Sequence, residues 1–271
     1  KDMRFSPMIA KTVPSKERIE ADRKRGARAM GDLLDEYRRQ KRIGLEGNLY
    51  HKTQIELAYN SNHIEGSRLT EAQTRQIFET RTIDGPARID DVWEAVNHFR
   101  LFDLMLDTAE EPLSIDLVKR FHRTLKANTD QALSDSIYEP GAFKTLPNEV
   151  GGMLTVEPER VAVCVDDLLS SYAEARKTFE AVVGLHHRFE RIHPFQDGNG
   201  RVGRIIMFRE CLANDIVPFV VRDDMKAYYY RGLSKYDEEP GWLLDTCRSF
   251  QDDFVARFLP LVPHAKPPRA G

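Results

Sequence analysis

One stretch constrains the fold more than any other: His193-Pro194-Phe195-Gln196-Asp197-Gly198-Asn199-Gly200-Arg201-Val202-Gly203-Arg204, enclosed by the apolar runs Ala181 to Leu185 and Ile205 to Phe208. Turn-forming residues between two apolar, helix-like segments make a loop that a core must hold at both ends. Gly198, Asn199 and Gly200 accept positive φ and leave their amides uncovered, and the helix that follows offers unpaired N–H groups and the positive end of its dipole. The loop is therefore a ready anion site. Arg201 and Arg204 stand three apart in the first turn and point to one face, where planar guanidinium groups suit two phosphates of one polyphosphate. Asp197 beside them suits Mg2+, which takes one or two carboxylates and completes its shell with phosphate oxygens and water. His193 accepts a proton near neutral pH, and Pro194 stiffens the turn that aims it. The plainer alternative is a surface turn leading into a solvated helix start.

Composition narrows the class. A chain of 271 residues can bury a sizeable core, and a net charge of -3 gives no electrostatic reason to bind nucleic acid or a membrane surface. Cys164, Cys211 and Cys247 are widely spaced with no CxxC pair, which argues against a disulfide framework and a zinc site and for a reducing, cytoplasmic setting. No stretch reaches the roughly 18 apolar residues of a spanning helix. There is no GxxxxGK[ST] and no strand-linked GxGxxG, so neither a P-loop nor a Rossmann turn accounts for phosphate binding.

Along the chain, residues 1–50 form a charged N-terminal segment, in which Ser15 to Arg42 reads as an amphipathic helix with the thin stripe Ile19, Met30, Leu33, Leu34 and Tyr37. Residues 51–66 read as a helix closed by Gly66. Glu65 falls in its last turn, facing the negative end of the dipole, and taken alone is a tolerated surface residue. Thr70 and Gln73 make a capping box for a helix that turns Ile77 and Phe78 inward. Ile89 to Leu106 has helical periodicity, and Ser114 caps a helix running through Ile115, Val118, Phe121 and Leu125. Asn97 and His98 read as surface or satisfied core groups.

From Tyr138 to Val156 prolines and glycines break the helical pattern, and Met153-Leu154-Thr155-Val156 suggests a β-hairpin, with a plain loop as the alternative. Two helices then lead into the signature. His186 and His187 lack zincin spacing to His193. A segment from Asp223 to Tyr236 carries Tyr228-Tyr229-Tyr230, Trp242 to Leu259 is a last helix, and 260–271 is a frayed tail. The expectation is a mainly α-helical domain over 51–259 with one small hairpin.

The stretch from His193 to Arg204 resembles the signature of the Fic family, His-x-Phe-x-Asp/Glu-Gly-Asn-Gly-Arg-x-x-Arg, at every defined position. That resemblance implies a Fic-type helical bundle and a protein adenylyltransferase, moving AMP from ATP to a Ser, Thr or Tyr hydroxyl. It implies His193 as base, Asp197 as the Mg2+ ligand, Gly198, Asn199, Gly200, Arg201 and Arg204 as the phosphate site, and Phe195 as the anchor of the loop. Ser61-Asn62-His63-Ile64-Glu65-Gly66 resembles the family's inhibitory motif, in the class whose inhibitory helix precedes the core. There Glu65 would pair with Arg204 and occupy the place of the γ-phosphate.

The hairpin corresponds to the family's flap, where a target segment adds as a strand. By the same resemblance Val150, Gly151, Gly152 and Met153 line the nucleotide pocket, and Tyr229, Tyr230 and Asp237 contact adenine and ribose, Asp237 standing where Asn is common. The implied partners are ATP and a protein presenting a hydroxyl at the flap, the chain itself included, with no nucleic acid and no membrane; a homo-oligomer is left open. Transfer of UMP, phosphocholine or phosphate, and Glu65-dependent removal of AMP, remain alternatives. From another class stands a nucleotide-sensing module without turnover, which would not require a base at His193. A DNA-binding regulator lacks a basic face in this chain.

Overall fold

The computed structural model describes residues 33–263, so most of the charged N-terminal segment, with Ile19 and Met30, and residues 264–271 of the tail lie outside the described residues. The described part is helical apart from one hairpin. α1 (Leu33–Ile43) carries Asp35 and Glu36 in its first turn and Lys41 and Arg42 in its last, the arrangement the helix dipole favours. It turns Leu33 and Tyr37 into the main core, where the Tyr37 hydroxyl meets Thr53 Oγ1 at 2.9 Å.

α2 (Leu49–Ile64) starts two residues before the sequence reading, because Asn48 accepts the His51 amide and caps it. Its end is as the sequence suggests: Glu65 is the capping residue and Gly66 takes φ +95°. α3 (Glu71–Thr80) opens on the Thr70–Gln73 capping box. α4 (Ile89–Asp107) and α5 (Ile115–Lys126) follow, the latter capped by Ser114 on the Leu117 amide. A short α6 (Asp130–Ser134) and a 3-10 turn (Ser136–Tyr138) lead to the hairpin.

The hairpin is minimal: β1 (Glu149–Val150) pairs antiparallel with β2 (Met153–Leu154), Val150 opposite Met153. Gly151 and Gly152 form its turn at φ +58° and +78°, a conformation that side-chain-bearing residues resist at two successive positions. α7 (Pro158–Glu174), α8 (Phe179–Ile192) and α9 (Asn199–Ala213) come next, then a 3-10 turn at Asp223–Met225, α10 (Lys226–Lys235) and α11 (Pro240–Arg257). Pro240 reads as a break in sequence but opens α11, since the first helical position needs no N–H and favours its fixed φ. Leu259–Leu261 forms a 3-10 turn, with Leu259 and Leu261 packed against the core.

α9 is the central helix. Val202, Ile205, Ile206, Met207, Phe208 and Cys211 are buried around its circumference, which suits a helix enclosed on every side. It packs against α8, α4, α5, α2 and α1. The loop from His193 to Gly198 therefore stands at one end of the core, with the C-terminus of α2, the middle of α4 and the end of α5 gathered around it. No helix among the described residues is long and apolar enough to cross a membrane.

Candidate functional site

The loop is locked before any side chain faces outward. Phe195 is fully buried and stacks on the His122 ring of α5 at 3.8 Å between centroids. His122 accepts the Gly141 amide on Nδ1 and faces the Asp197 carbonyl with Nε2 at 3.0 Å, which fixes the proton on Nε2. Burial pushes its pKa down to about 3, so it clamps as a neutral ring. Asn199 turns its side chain back on the loop, accepting from the Phe195 amide and donating to the Phe195 carbonyl, both at 2.8 Å. What Asn199 offers an anion is thus its backbone. Gly198 precedes α9 at φ +81° with no side-chain cap, leaving the first amides of α9 to an external acceptor.

His193 caps α8 in the left-handed region at φ +51°, with Nδ1 3.3 Å from the Glu190 carbonyl. Burial pushes its pKa down to about 4, against the Glu190 carbonyl and the Glu65 carboxylate, which raise it. The imidazole is accordingly neutral at physiological pH, the form a base requires. The hairpin is tied to the same loop. The Lys144 amide bonds the Pro194 carbonyl at 2.8 Å, Asn148 Nδ2 bonds the Phe195 carbonyl at 3.2 Å, and Lys144 Nζ reaches Asn148 Oδ1 at 2.7 Å.

The two arginines are held by different partners. Arg204 is buried and binds the end of α2: Nε meets Ser61 Oγ at 3.0 Å, and its terminal nitrogen meets the Ser61 carbonyl at 2.9 Å and Glu65 Oε1 at 2.6 Å. Gly200 makes this possible, since a β-carbon there would lie 2.2 Å from Glu65 Oε1. The Glu65 carboxylate thus lies directly over the first turn of α9, where the loop offers its anion site. Arg201, also buried, instead pairs with Glu94 of α4 at 2.6 Å and with Asp197 at 3.4 Å. Asp197 is further met by Lys126 Nζ at 2.6 Å.

Asn97 is a satisfied core group, donating to the Leu125 and Ala127 carbonyls. His98 departs from the sequence reading: it is buried with neither ring nitrogen hydrogen-bonded among the described residues. Burial first, and then the charges of Arg204 and Arg201, push it down to about 3.

Tyr229 is fully buried beneath the site, its hydroxyl 2.6 Å from His186 Nε2. Tyr230 is 43% exposed and donates to the Ile64 carbonyl, the roughly 100° rotation between consecutive helix residues carrying it outward. Asp237 lines a cleft of about 370 Å³ with Leu168, His187 and Ile192, the residue before His193. Val150, Gly151 and Gly152 are exposed on the hairpin.

Four neighbours of the loop escape sequence reasoning: His122, Glu94, Lys126 and Glu190. Glu190 is the least expected, a nearly buried carboxyl with Oε2 4.0 Å from His193 Nδ1 and Oε1 3.9 Å from His186 Nδ1. Burial pushes it up to about 8, with Arg204 lowering and Glu65 raising it. Its position three residues before His193 and four after His186 is the one sequence signal it carries.

A mainly helical domain that presents a histidine, a helix N-terminus and a buried arginine around one loop defines the class. Residues 112–211 match the Fic/DOC family. The protein adenylyltransferase fic-1 of Caenorhabditis elegans is 26% identical over 232 residues, covering 83% of this chain and 44% of the relative. The protein adenylyltransferase Fic of Drosophila willistoni is 28% identical over 241 residues, covering 85% and 45%. The chain thus spans about half the length of the curated relatives it matches. A Fic-domain-containing signaling protein from Bacteroides thetaiotaomicron superposes with a TM-score of 0.64 at 23% identity, over 84% of this chain and 91% of that one. Residues 134–508 of C. elegans Fic-1 give 0.66 at 21% identity, over 91% and 74%. These likenesses establish the helical fold.

Proposed function

We propose that this domain transfers AMP from ATP to a hydroxyl of a protein side chain and that Glu65 restrains it. The observation that carries this reading is the position of the Glu65 carboxylate, on Arg204 and over Gly200. An anion already sits where the loop would receive one. The names of the relatives supply the reaction class.

In this reading ATP lays its phosphates over the amides of Gly198, Asn199 and Gly200. Arg204 takes the γ-phosphate once Glu65 leaves, and Arg201, with its charge shared by Glu94 and Asp197, acts on the leaving phosphates mainly through its field. His193 takes the proton of a Ser, Thr or Tyr hydroxyl, whose oxygen attacks the α-phosphorus; pyrophosphate departs and AMP remains on the protein. The hydroxyl would be presented by a segment paired with the hairpin. Tyr230, Asp237 and the Val150–Met153 turn are the residues assigned to the nucleoside, with Tyr229 supporting them from below.

A magnesium ion fits the residues present. Asp197 offers one carboxylate on a side chain 36% exposed, and no group of three His, Cys, Asp or Glu among the described residues could hold a metal. Such a site suits a cation that brings phosphate oxygens with it. When bound, Mg2+ would neutralise phosphate charge; Asp197 would hold it. The cysteines, none of them in a disulfide, fit a reducing, cytoplasmic setting. The test is incubation of the Glu65→Gly protein with ATP and Mg2+, followed by intact mass. One added AMP supports the reading, and bound but unconverted ATP, with and without candidate targets, favours a nucleotide-sensing module.

A further inference from the structure

Lys126 has no part in the mechanism above, yet its amine lies on the carboxylate assigned to the cation. It is the last residue of α5, is 1% exposed, and spends its N–H groups on Asp197 Oδ2 at 2.6 Å, Gln131 Oε1 at 2.9 Å and Glu94 Oε1 at 3.0 Å. Arg201 closes the circuit, 2.6 Å from the other oxygen of Glu94 and 3.4 Å from Asp197 Oδ2. Two cations and two carboxylates, contributed by α4, α5, the loop and α9, form a closed network with no net charge. Both cations approach Oδ2, so an incoming divalent ion would have to share the carboxylate with them.

We propose that Lys126 is a resident counter-cation and positioning residue for Asp197, which makes binding of a divalent ion depend on the polyphosphate that arrives with it. A carboxylate with two cations already on it has little field left for a third. Mg2+ gives up its water reluctantly and gains too little from such a group by itself. A polyphosphate supplies the missing negative charge and further oxygen ligands, so ion and nucleotide load together. Without Lys126 the network carries one net negative charge, and Asp197 becomes an ion site in its own right. The relevance to catalysis rests on the function proposed above, whereas the binding claim does not.

The test uses Mn2+ as the probe, with no nucleotide present. Free Mn2+ is followed by its electron paramagnetic resonance signal during titration of the wild type, Lys126→Met, Lys126→Gln and Lys126→Arg. Circular dichroism and melting verify that each is folded, and Lys126→Gln, which keeps two N–H donors, serves if the Met variant does not fold. The expectation is at least tenfold tighter Mn2+ binding in the Met and Gln variants, wild-type behaviour in the Arg variant, and loss of the gain in Lys126→Gln/Asp197→Asn. Binding no tighter than wild type in the uncharged variants overturns the proposal, as does a gain that survives Asp197→Asn. Failure of AMP transfer in the Glu65→Gly protein would remove the proposed function and leave this result untouched.

Discussion

Replacing Glu190 by Gln should stabilise the protein, and increasingly so as the pH rises. Its carboxyl is faced by His186 and His193 from α8 and its cap, by Arg204 from α9, by Glu65 from the end of α2, and by Tyr229 and Tyr230 from α10. Only one of these is a permanent cation, and it is already bonded to Glu65. The buried carboxyl keeps its proton, and its pKa rises from 4.5 to about 8.

A carboxyl raised on folding favours the folded state most at pH values below its unfolded pKa, and that advantage is lost as the pH climbs to its folded pKa. The stability gap between Glu190→Gln and wild type should therefore widen by about 1.4 kcal/mol per pH unit between pH 5 and 7, or on the order of 3 kcal/mol in all. It should level off above about pH 8. Any constant cost of the amide cancels in this difference. Urea melts of both proteins at each pH give the gap directly. In a Glu65→Gly background the widening should shrink, because Arg204 is then free to pair with Glu190 and draw its pKa down. A gap that stays flat from pH 5 to 8 would refute the reasoning.

Other outcomes follow from the same geometry. Ser61→Ala removes the acceptor of Arg204 Nε, so the Glu65 contact should loosen; it should cost about 1 kcal/mol in stability and raise AMP transfer several-fold. In the Glu65→Gly protein, transfer should show no acid limb near pH 6.5, because burial has pushed His193 down to about 4; a midpoint at the ordinary histidine value would mean that another group is titrating. His122→Ala removes the ring stacked on Phe195 and both of its backbone contacts, and should cost about 3 kcal/mol in a denaturant melt, with transfer lost as the loop loosens.

The sequence discloses what is local. Gly198, Asn199, Gly200 and the helix after them are consecutive, so their turn and exposed amides can be read from residue type alone. The cap at Ser114 and the capping box at Thr70 lie within four residues of the groups they satisfy. Glu65 and Arg204 are 139 residues apart, and no local rule links them; a likeness to a known motif does. The missed residues have the same cause without that aid. Lys126 ends an amphipathic helix, where a lysine ordinarily reaches solvent, and its partner Asp197 is 71 residues away. His122 follows Phe121 and stands four after Val118, inward on the helix, yet only the fold brings it under Asp197. Tyr229 and Tyr230 are adjacent in sequence and sent to opposite environments by the helix, a distinction that a Tyr-Tyr pattern does not carry.

The central claim is that the loop transfers AMP and that the carboxylate on Arg204 holds it back. Intact-protein mass spectrometry after incubation with ATP and Mg2+ tests both parts, using wild type, Glu65→Gly and Glu65→Gly/His193→Ala, alone and with a cell extract as the source of hydroxyl targets. The account predicts AMP on protein in the Glu65→Gly sample, little in the wild type and none in the double variant. Equal transfer by wild type and Glu65→Gly would contradict the restraint, and transfer that persists without His193 would contradict the chemistry.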